Sequence, residues 1–316
     1  MIRRRSELTE LPEDFCSAYA PLVSDSEALF DILLSPLAPS FRVNTLKSSA
    51  GEIKERFAGY GIRIVQTPWY EDAFVSPEVD PSPTLEHFLG KIYLQELASM
   101  APPLVVRGEI RQAALVLDTC AAPGSKTTQL AALMDNRAAI IANDIDYQRI
   151  RALKFNLNRD GVYNTVITHS NINAFTENTL DFDVILVDAP CSSDGTVRKS
   201  PGLLSGWRAG RAHKYARYQR HLLKKAYRLL KPGGVIVYST CSLSPVENEL
   251  VVNALLEEHP ARVEPFDIPN LRLRPGITSW ESTELAPQVQ DTRRLWPQDN
   301  DTDGFFLARI RKPETQ

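Results

Sequence analysis

From residue 113 onward, short apolar runs alternate with longer stretches of helical periodicity. Ala114-Leu115-Val116-Leu117 leads through a loop of small residues into a helical stretch over 126–134. Ala138-Ala139-Ile140-Ile141-Ala142 precedes a second helix over 147–159. Thr165-Val166-Ile167-Thr168, Val184-Ile185-Leu186-Val187 and Val235-Ile236-Val237-Tyr238 supply three further runs. An amphipathic stretch over 211–230 turns Leu222, Leu223, Leu229 and Leu230 inward ahead of the last of them. Brief apolar runs bounded by turn residues are strands buried on both faces, and their alternation with helices predicts a doubly wound parallel sheet. A helix over 248–258 and a closing strand over 304–310 complete this half.

The first 110 residues follow another rhythm. Residues 1–40 read as helical and irregular, punctuated by Pro12, Pro21, Pro36 and Pro39. Ser40-Phe41-Arg42-Val43-Asn44-Thr45-Leu46 alternates as a strand does; a helix over 50–60 ends at Gly61, and Ile62-Arg63-Ile64-Val65 is a second strand. Pro68, Pro77, Pro81 and Pro83 break the next stretch. Residues 91–106 are expected to be mostly helical, despite Pro102 and Pro103, and to join this α+β unit to the next. The expected division is an N-terminal substrate domain over 1–110 and a larger α/β domain over 111–316.

Composition adds bounds. The chain has 316 residues, 43% of them hydrophobic and 24% charged, as in ordinary globular proteins. No apolar run reaches the ~18 residues of a membrane span. Arg3, Arg4 and Arg5 lack the following apolar segment of an export signal. The four cysteines, at 16, 120, 191 and 241, form neither a disulfide framework nor a paired metal-ligand pattern, so a cytoplasmic, metal-free monomer is expected. Net charge is −3, yet residues 198–231 hold eleven Lys or Arg and no acid, interleaved with Trp207, Tyr215, Tyr218 and Tyr227. Cations with aromatic rings suit RNA, while the same pattern also describes a solvated helix face.

Candidate chemistry gathers at the predicted strand ends, where open α/β sheets bind their ligands. Asp118-Thr119-Cys120-Ala121-Ala122-Pro123-Gly124-Ser125-Lys126-Thr127 follows the first strand. Its small residues allow a ligand close to the backbone, at the positive end of the next helix. Neither the P-loop spacing nor the dinucleotide G-x-G-x-x-G is present, which excludes the first and disfavours an NAD oxidoreductase. Asp144, after the second strand, is placed either to accept from ribose hydroxyls or to cap the following helix. A nucleoside without a pyrophosphate fits S-adenosylmethionine. Cys191, in Asp188-Ala189-Pro190-Cys191-Ser192, and Cys241, in Tyr238-Ser239-Thr240-Cys241-Ser242, each follow a strand. Carbon 5 of cytosine is too weak a nucleophile to take a methyl group unaided. A thiolate added at carbon 6 makes it an enamine, which is covalent catalysis. Lys126 is expected to lower the thiol pKa, and Asp188 to hold the base edge and protonate ring nitrogen 3.

These motifs resemble the Sun/Nop family (bacterial rRNA-type and nucleolar-protein) of RNA cytosine-5 methyltransferases, over nearly the whole chain. The resemblance implies a Rossmann-like class I methyltransferase sheet, mostly parallel with a closing antiparallel strand, and a small RNA-recognition-like N-terminal domain. It implies that Cys241 attacks carbon 6, that Cys191 helps release the product, and that Lys126 and Asp188 line the base pocket. Cys120, Ala121, Ala122, Pro123, Gly124, Ser125, Lys126, Asp144, Arg149, Asn171 and Asp188 would surround S-adenosylmethionine; Arg42, Asn44, Arg198 and Lys199 would meet RNA. Most members have a second glycine at position 125, and an Asp where this chain has Asn171, so altered adenine contacts are expected. Gly124-Ser125-Lys126-Thr127 and residues 194–199 look like the tRNA-acting branch, which favours tRNA over ribosomal RNA. An RNA-binding assembly factor without catalysis is the remaining alternative, resting on Asn171 alone.

Overall fold

The computed structural model of the chain describes residues 10–314 apart from Asn178; the arginines at 3–5 lie outside the described residues. Two sheets organise it. In the first, β1 (Ser40–Val43), β2 (Val65–Gln66), β3 (Ala73–Val75) and β4 (Ile92–Leu94) pair antiparallel in the order β2-β3-β1-β4. Helices α1 (Glu13–Tyr19) and α2 (Ser26–Leu34) precede it, and α3 (Ala50–Gly59) packs Ile53 and Phe57 onto Phe41, Val43 and Phe74. Ser49 fixes the start of α3 by accepting from the Glu52 N–H.

The second sheet carries β5 (Leu115–Asp118), β6 (Ala139–Asp144), β7 (Thr165–His169), β8 (Phe182–Asp188), β9 (Leu230–Thr240), β10 (Arg293–Leu295) and β11 (Phe305–Arg311) in the order β7-β6-β5-β8-β9-β11-β10. Neighbours from β7 to β9 are parallel, and β11 runs antiparallel to β9. Helices α4 (Ser125–Leu133), α5 (Tyr147–Asp160), α6 (Gly210–Leu229) and α7 (Glu249–Glu258) provide the intervening turns. Both faces of the sheet are covered, one around Val116, Ile140, Leu186 and Val237, the other around Ile185, Leu223, Ile236 and Phe306. That explains why its strands read as unbroken apolar runs. Helix α5 begins where the Asp146 side chain accepts from the N–H groups of Gln148 and Arg149, and ends at Gly161, whose φ is +77°.

Three sequence expectations change. Residues 91–106 are not mostly helical: β4 comes first, and Pro102 and Pro103 sit in the opening turn of a short helix, Ala101–Val105, where a missing N–H costs nothing. Of residues 62–65 only Val65 is paired. Strand β3 lies inside the proline-punctuated stretch. Among the described residues no helix is long and apolar enough to cross a membrane.

Candidate active site at the strand ends

Sheet order reverses about β5, with β6 on one side and β8 on the other, which opens a crevice at their carboxyl ends. Register brings the chemistry to this edge. Asp188 pairs with Ser239 across β8 and β9, and Thr240 pairs with Phe306 across β9 and β11. The loops that follow set Cys191 Sγ and Cys241 Sγ 3.2 Å apart. The two sulfurs share one hydrogen bond; with Cys191 as its donor, that bond is the main cause lowering the Cys241 pKa, and the Cys191 pKa is raised well above ordinary by the same bond and by burial. Lys126 also favours the Cys241 thiolate, in the expected direction, but is a minor cause beside Cys191. Its Nζ bonds Asp188 Oδ2 at 2.7 Å, which neutralises most of its field. Burial works against the Lys126 charge, but Asp188 outweighs it and the pKa is raised. Asp188 Oδ1 accepts from Ser239 Oγ at 2.8 Å.

Two buried devices hold the thiol loops together. Glu247 accepts from Ser192 N (2.9 Å), Ser242 Oγ (2.9 Å) and Gln219 Nε2 (2.9 Å), and from Ser192 Oγ, so one carboxyl group ties the residue after each cysteine to α6. Gly195 donates to Cys241 O at 2.9 Å and accepts from Gly304 N at 2.8 Å. A Cβ at Gly195 would stand 2.7 Å from both Cys241 O and Gly304 O, so only glycine lets these three loops meet.

A cavity of about 300 Å³ opens beside the thiols, lined by Cys120 to Pro123, Ser125, Lys126, Arg149, Asp188 and Cys241, and closed by Tyr93, Glu96, Lys199, Asp303 and Phe305. A smaller one, about 30 Å³, shares Cys120 and Arg149 and is walled by Asp144, Ile145, Ile172 and Leu222. Asp144 is buried; its Oδ2 accepts from Ala122 N at 3.1 Å and its Oδ1 from Asp146 N at 2.9 Å. The cap of α5 is Asp146, so Asp144 is not the helix cap. Gly124, at φ +111°, starts α4. A loop with open backbone at a helix start, a buried carboxylate and a small apolar slot together suit a nucleoside bearing no phosphate.

Residues 108–311 match the family described as 16S rRNA methyltransferase RsmB/F, and residues 11–97 match the N-terminal domain of 16S rRNA methyltransferase RsmF. The chain belongs to the RsmB/F family. A relative named tRNA (cytosine(49)-C(5))-methyltransferase, from Pyrococcus abyssi, is 39% identical over 98% of this chain and 99% of its own. Ribosomal RNA small subunit methyltransferase F of Shewanella woodyi is 36% identical over 96% of this chain, which spans 64% of that relative. Among solved structures, a methyltransferase homolog protein from Pyrococcus horikoshii has a TM-score of 0.82 at 36% identity, covering 94% of each chain. NSun6 from Pyrococcus horikoshii, solved with SFG, shares the fold at a TM-score of 0.81 and 23% identity, over 96% of this chain and 99% of that one.

Within this RsmB/F methyltransferase, the residues expected to meet RNA fall into two groups. Lys199 is exposed and lines the larger cavity. Arg42, Asn44 and Arg198, also expected to meet RNA, are buried and bonded within the protein. Arg42 donates to Thr128 Oγ1 (2.9 Å) and Gln95 Oε1 (3.2 Å), joining the first sheet to α4. Asn44 donates to Gly90 O (2.7 Å) and Asp160 O (2.8 Å), and Arg198 to Thr302 O (3.1 Å) and Asp301 Oδ1 (2.6 Å). Asn171 is exposed and accepts from Asn173 N; its neighbours Ser170 and Ile172, not Asn171, line the smaller cavity. On α6, Ala212, Ala216, Leu222 and Leu223 are buried while Arg211, Lys214, Arg217 and Arg228 face solvent, so the solvated-face pattern holds there. Sequence reasoning missed Glu247, Gly195, Glu96 and Asp303. Only Gly195, beside an acid in Asp194-Gly195-Thr196, carries a local signal, that of a tight turn.

Proposed function

We propose that this chain transfers a methyl group from S-adenosylmethionine to carbon 5 of cytosine in RNA, with tRNA as its substrate, through attack of Cys241 on carbon 6. The pair of thiols 3.2 Å apart, beside the Lys126–Asp188 ion pair, carries this reading. A methyltransferase acting on an amine needs no thiol, because the amine attacks the methyl group directly. Addition at carbon 6 requires a thiolate, and the Cys191 hydrogen bond favours one on Cys241. Release requires loss of the carbon 5 proton and of the carbon–sulfur bond, and Cys191 stands at the right sulfur to assist. Asp188, already bonded through both oxygens, is suited to accept from the exocyclic amine and to hold Lys126 over the base pocket.

Asp144, Arg149 and the backbone of Cys120 to Gly124 would hold the cofactor, which supplies an electrophilic methyl group when bound. Residues 1–110 would serve as the substrate domain and 111–316 as the methyltransferase domain. One chain supplies both thiols and both cavities, which supports action as a monomer. A mechanism that needs Cys191 and Cys241 as free thiols supports the cytoplasm. The run at 194–199 and the relative acting on cytosine 49 of tRNA support tRNA; the rRNA-acting relatives make ribosomal RNA the second reading.

Methyl transfer to tRNA transcripts with Cys241→Ala and Cys191→Ala variants tests the chemistry. Cys241→Ala should lose turnover on the order of 10³-fold or more and form no covalent complex. Cys191→Ala should accumulate an enzyme–RNA adduct visible on a denaturing gel. Full activity in Cys241→Ala would sink the mechanism. Bisulfite sequencing of total RNA from a deletion strain separates tRNA from ribosomal RNA.

A further inference from the structure

Attack on carbon 6 needs an acid as well as a thiolate. The electron pair displaced from the ring collects on nitrogen 3, and a proton delivered there keeps the adduct neutral. Asp188 is poorly suited to give one, since its oxygens bond Lys126 and Ser239. The cavity holds a second carboxyl group with the opposite surroundings. Asp303 lies just before Gly304 at the start of β11, is 1% exposed, and lines the cavity with Cys241, Lys126 and Phe305. Among the described residues neither of its carboxyl oxygens has a hydrogen-bond partner. Its backbone is held firmly all the same: Asp303 N donates to Glu96 Oε1 at 3.0 Å, Thr302 Oγ1 donates to Asp303 O at 2.9 Å, and Gly304 N is tied to Gly195.

The charged and titratable groups facing Asp303 are Glu96, Lys199, Arg198 and Cys241. Two carboxyl groups so close do not both ionise cheaply. Glu96 already accepts from the N–H groups of Asp303 and Ser99, bonds that suit a carboxylate. Asp303 accepts none, and burial followed by the Glu96 charge favours its protonated form over the opposing pull of Lys199 and Arg198. A buried, unpartnered carboxyl group fixed beside the nucleophile is costly unless a substrate completes it.

We propose that Asp303 is a catalytic residue that donates its carboxyl proton to nitrogen 3 of the target cytosine as Cys241 attacks carbon 6. The Sγ–C6 bond forms from the thiolate lone pair. The C5=C6 π pair becomes C4=C5, the C4=N3 pair moves onto nitrogen 3, and nitrogen 3 takes the proton from the Asp303 oxygen. Asp303 is left as a carboxylate and recovers the proton when C4=N3 is restored. A neutral carboxylic acid is also complementary to the amidine edge of cytosine, since its O–H can donate to nitrogen 3 while its C=O can accept from the exocyclic amine. This assignment rests on the cytosine-5 reading above.

Exchange of the carbon 5 hydrogen tests it without the methyl donor, because reversible addition at carbon 6 alone makes carbon 5 take up solvent protons. Tritium release from tRNA transcripts carrying 5-tritiated cytidine is followed for the wild type and Asp303→Asn. Release should fall about 10²-fold in the variant, with melting temperature and Cys241 alkylation unchanged. In the wild type, release should rise as Cys241 ionises and fall again as Asp303 loses its proton near pH 8, where burial and then Glu96 have pushed it. Glu96→Gln removes that neighbouring charge and should move the fall to lower pH. Release by Asp303→Asn within about threefold of wild type, or a wild-type rate still climbing at about pH 10, overturns the assignment. If Asp303→Asn does not fold, the wild-type and Glu96→Gln profiles decide. Wild-type protein that releases no tritium from any RNA overturns the cytosine-5 reading and this assignment together, whereas release unaffected by Asp303→Asn overturns only the latter.

Discussion

Two cysteine sulfurs 3.2 Å apart form an asymmetric pair, with the pKa of Cys241 lowered and that of Cys191 raised. With Cys191 as the donor the Cys241 thiolate is stabilised, and Ser193 adds a second, weaker stabilisation. Burial and the Asp188 charge act the other way, yet the net direction for Cys241 is down. Removing the donor must therefore raise the Cys241 pKa. Alkylation of Cys241 by iodoacetamide, followed by mass spectrometry across pH, should show its midpoint moving upward in Cys191→Ala. An unmoved midpoint would mean that the sulfur–sulfur bond does not control ionisation. At this scale the sequence pointed to two thiols as candidate reacting groups, since the ring chemistry of cytosine calls for one. It did not show that the second thiol tunes the first, because residues fifty positions apart meet only through the pairing of β8 with β9.

Strand ends define the site, but contacts between loops set its geometry. Gly195 links the loop after Cys191 to the backbone of Cys241 and Gly304. A methyl group there would press on two backbone carbonyl oxygens at 2.7 Å, and backbone cannot swing aside as a flexible side chain does. Gly195→Ala should cost about 1–3 kcal/mol of stability. It should also reduce methyl transfer more than that loss explains, because it pushes Cys241 away from Cys191. Urea unfolding and turnover, measured side by side, check this; an active, fully stable Gly195→Ala would contradict it. The long elements were legible, as unbroken apolar runs and capped helices give strong local signals. β3 and β4, of three residues each, were not, since such short strands exist only because β1 pairs with both.

Across the whole molecule, burial raises several carboxyl groups at once. Asp118 is pushed up to about 7 by burial, with the Asp188 charge adding and the Thr127 hydrogen bond opposing. Asp303 reaches about 8, and Asp72 about 6 through burial and then Glu71. An unfolded Asp titrates near 3.9, so the native state holds protons that the unfolded state has released. The stability from these groups is full below about pH 4 and is lost as pH rises through each folded pKa. His259, lowered by burial, opposes the trend near neutrality. Urea midpoints between pH 5 and 8 should fall more steeply for wild type than for Asp118→Asn, which has nothing to titrate. Parallel curves would refute the assignment.

The sequence by itself determined the alternation of strand and helix, the two cysteines and the small-residue loop before α4, because each is written in adjacent residues whose periodicity or chemistry is local. Only the tertiary structure decided which polar groups serve the site. Arg42, Asn44 and Arg198 read as RNA contacts in one dimension but are buried, Arg42 against α4, Asn44 against the end of α5 and Arg198 against the backbone of Thr302. Asp303, which has no feature of its own in the chain, becomes a neutral acid because folding strips its water and sets Glu96 beside it. Charge and burial are properties of the surroundings, and the surroundings exist only once distant segments have packed.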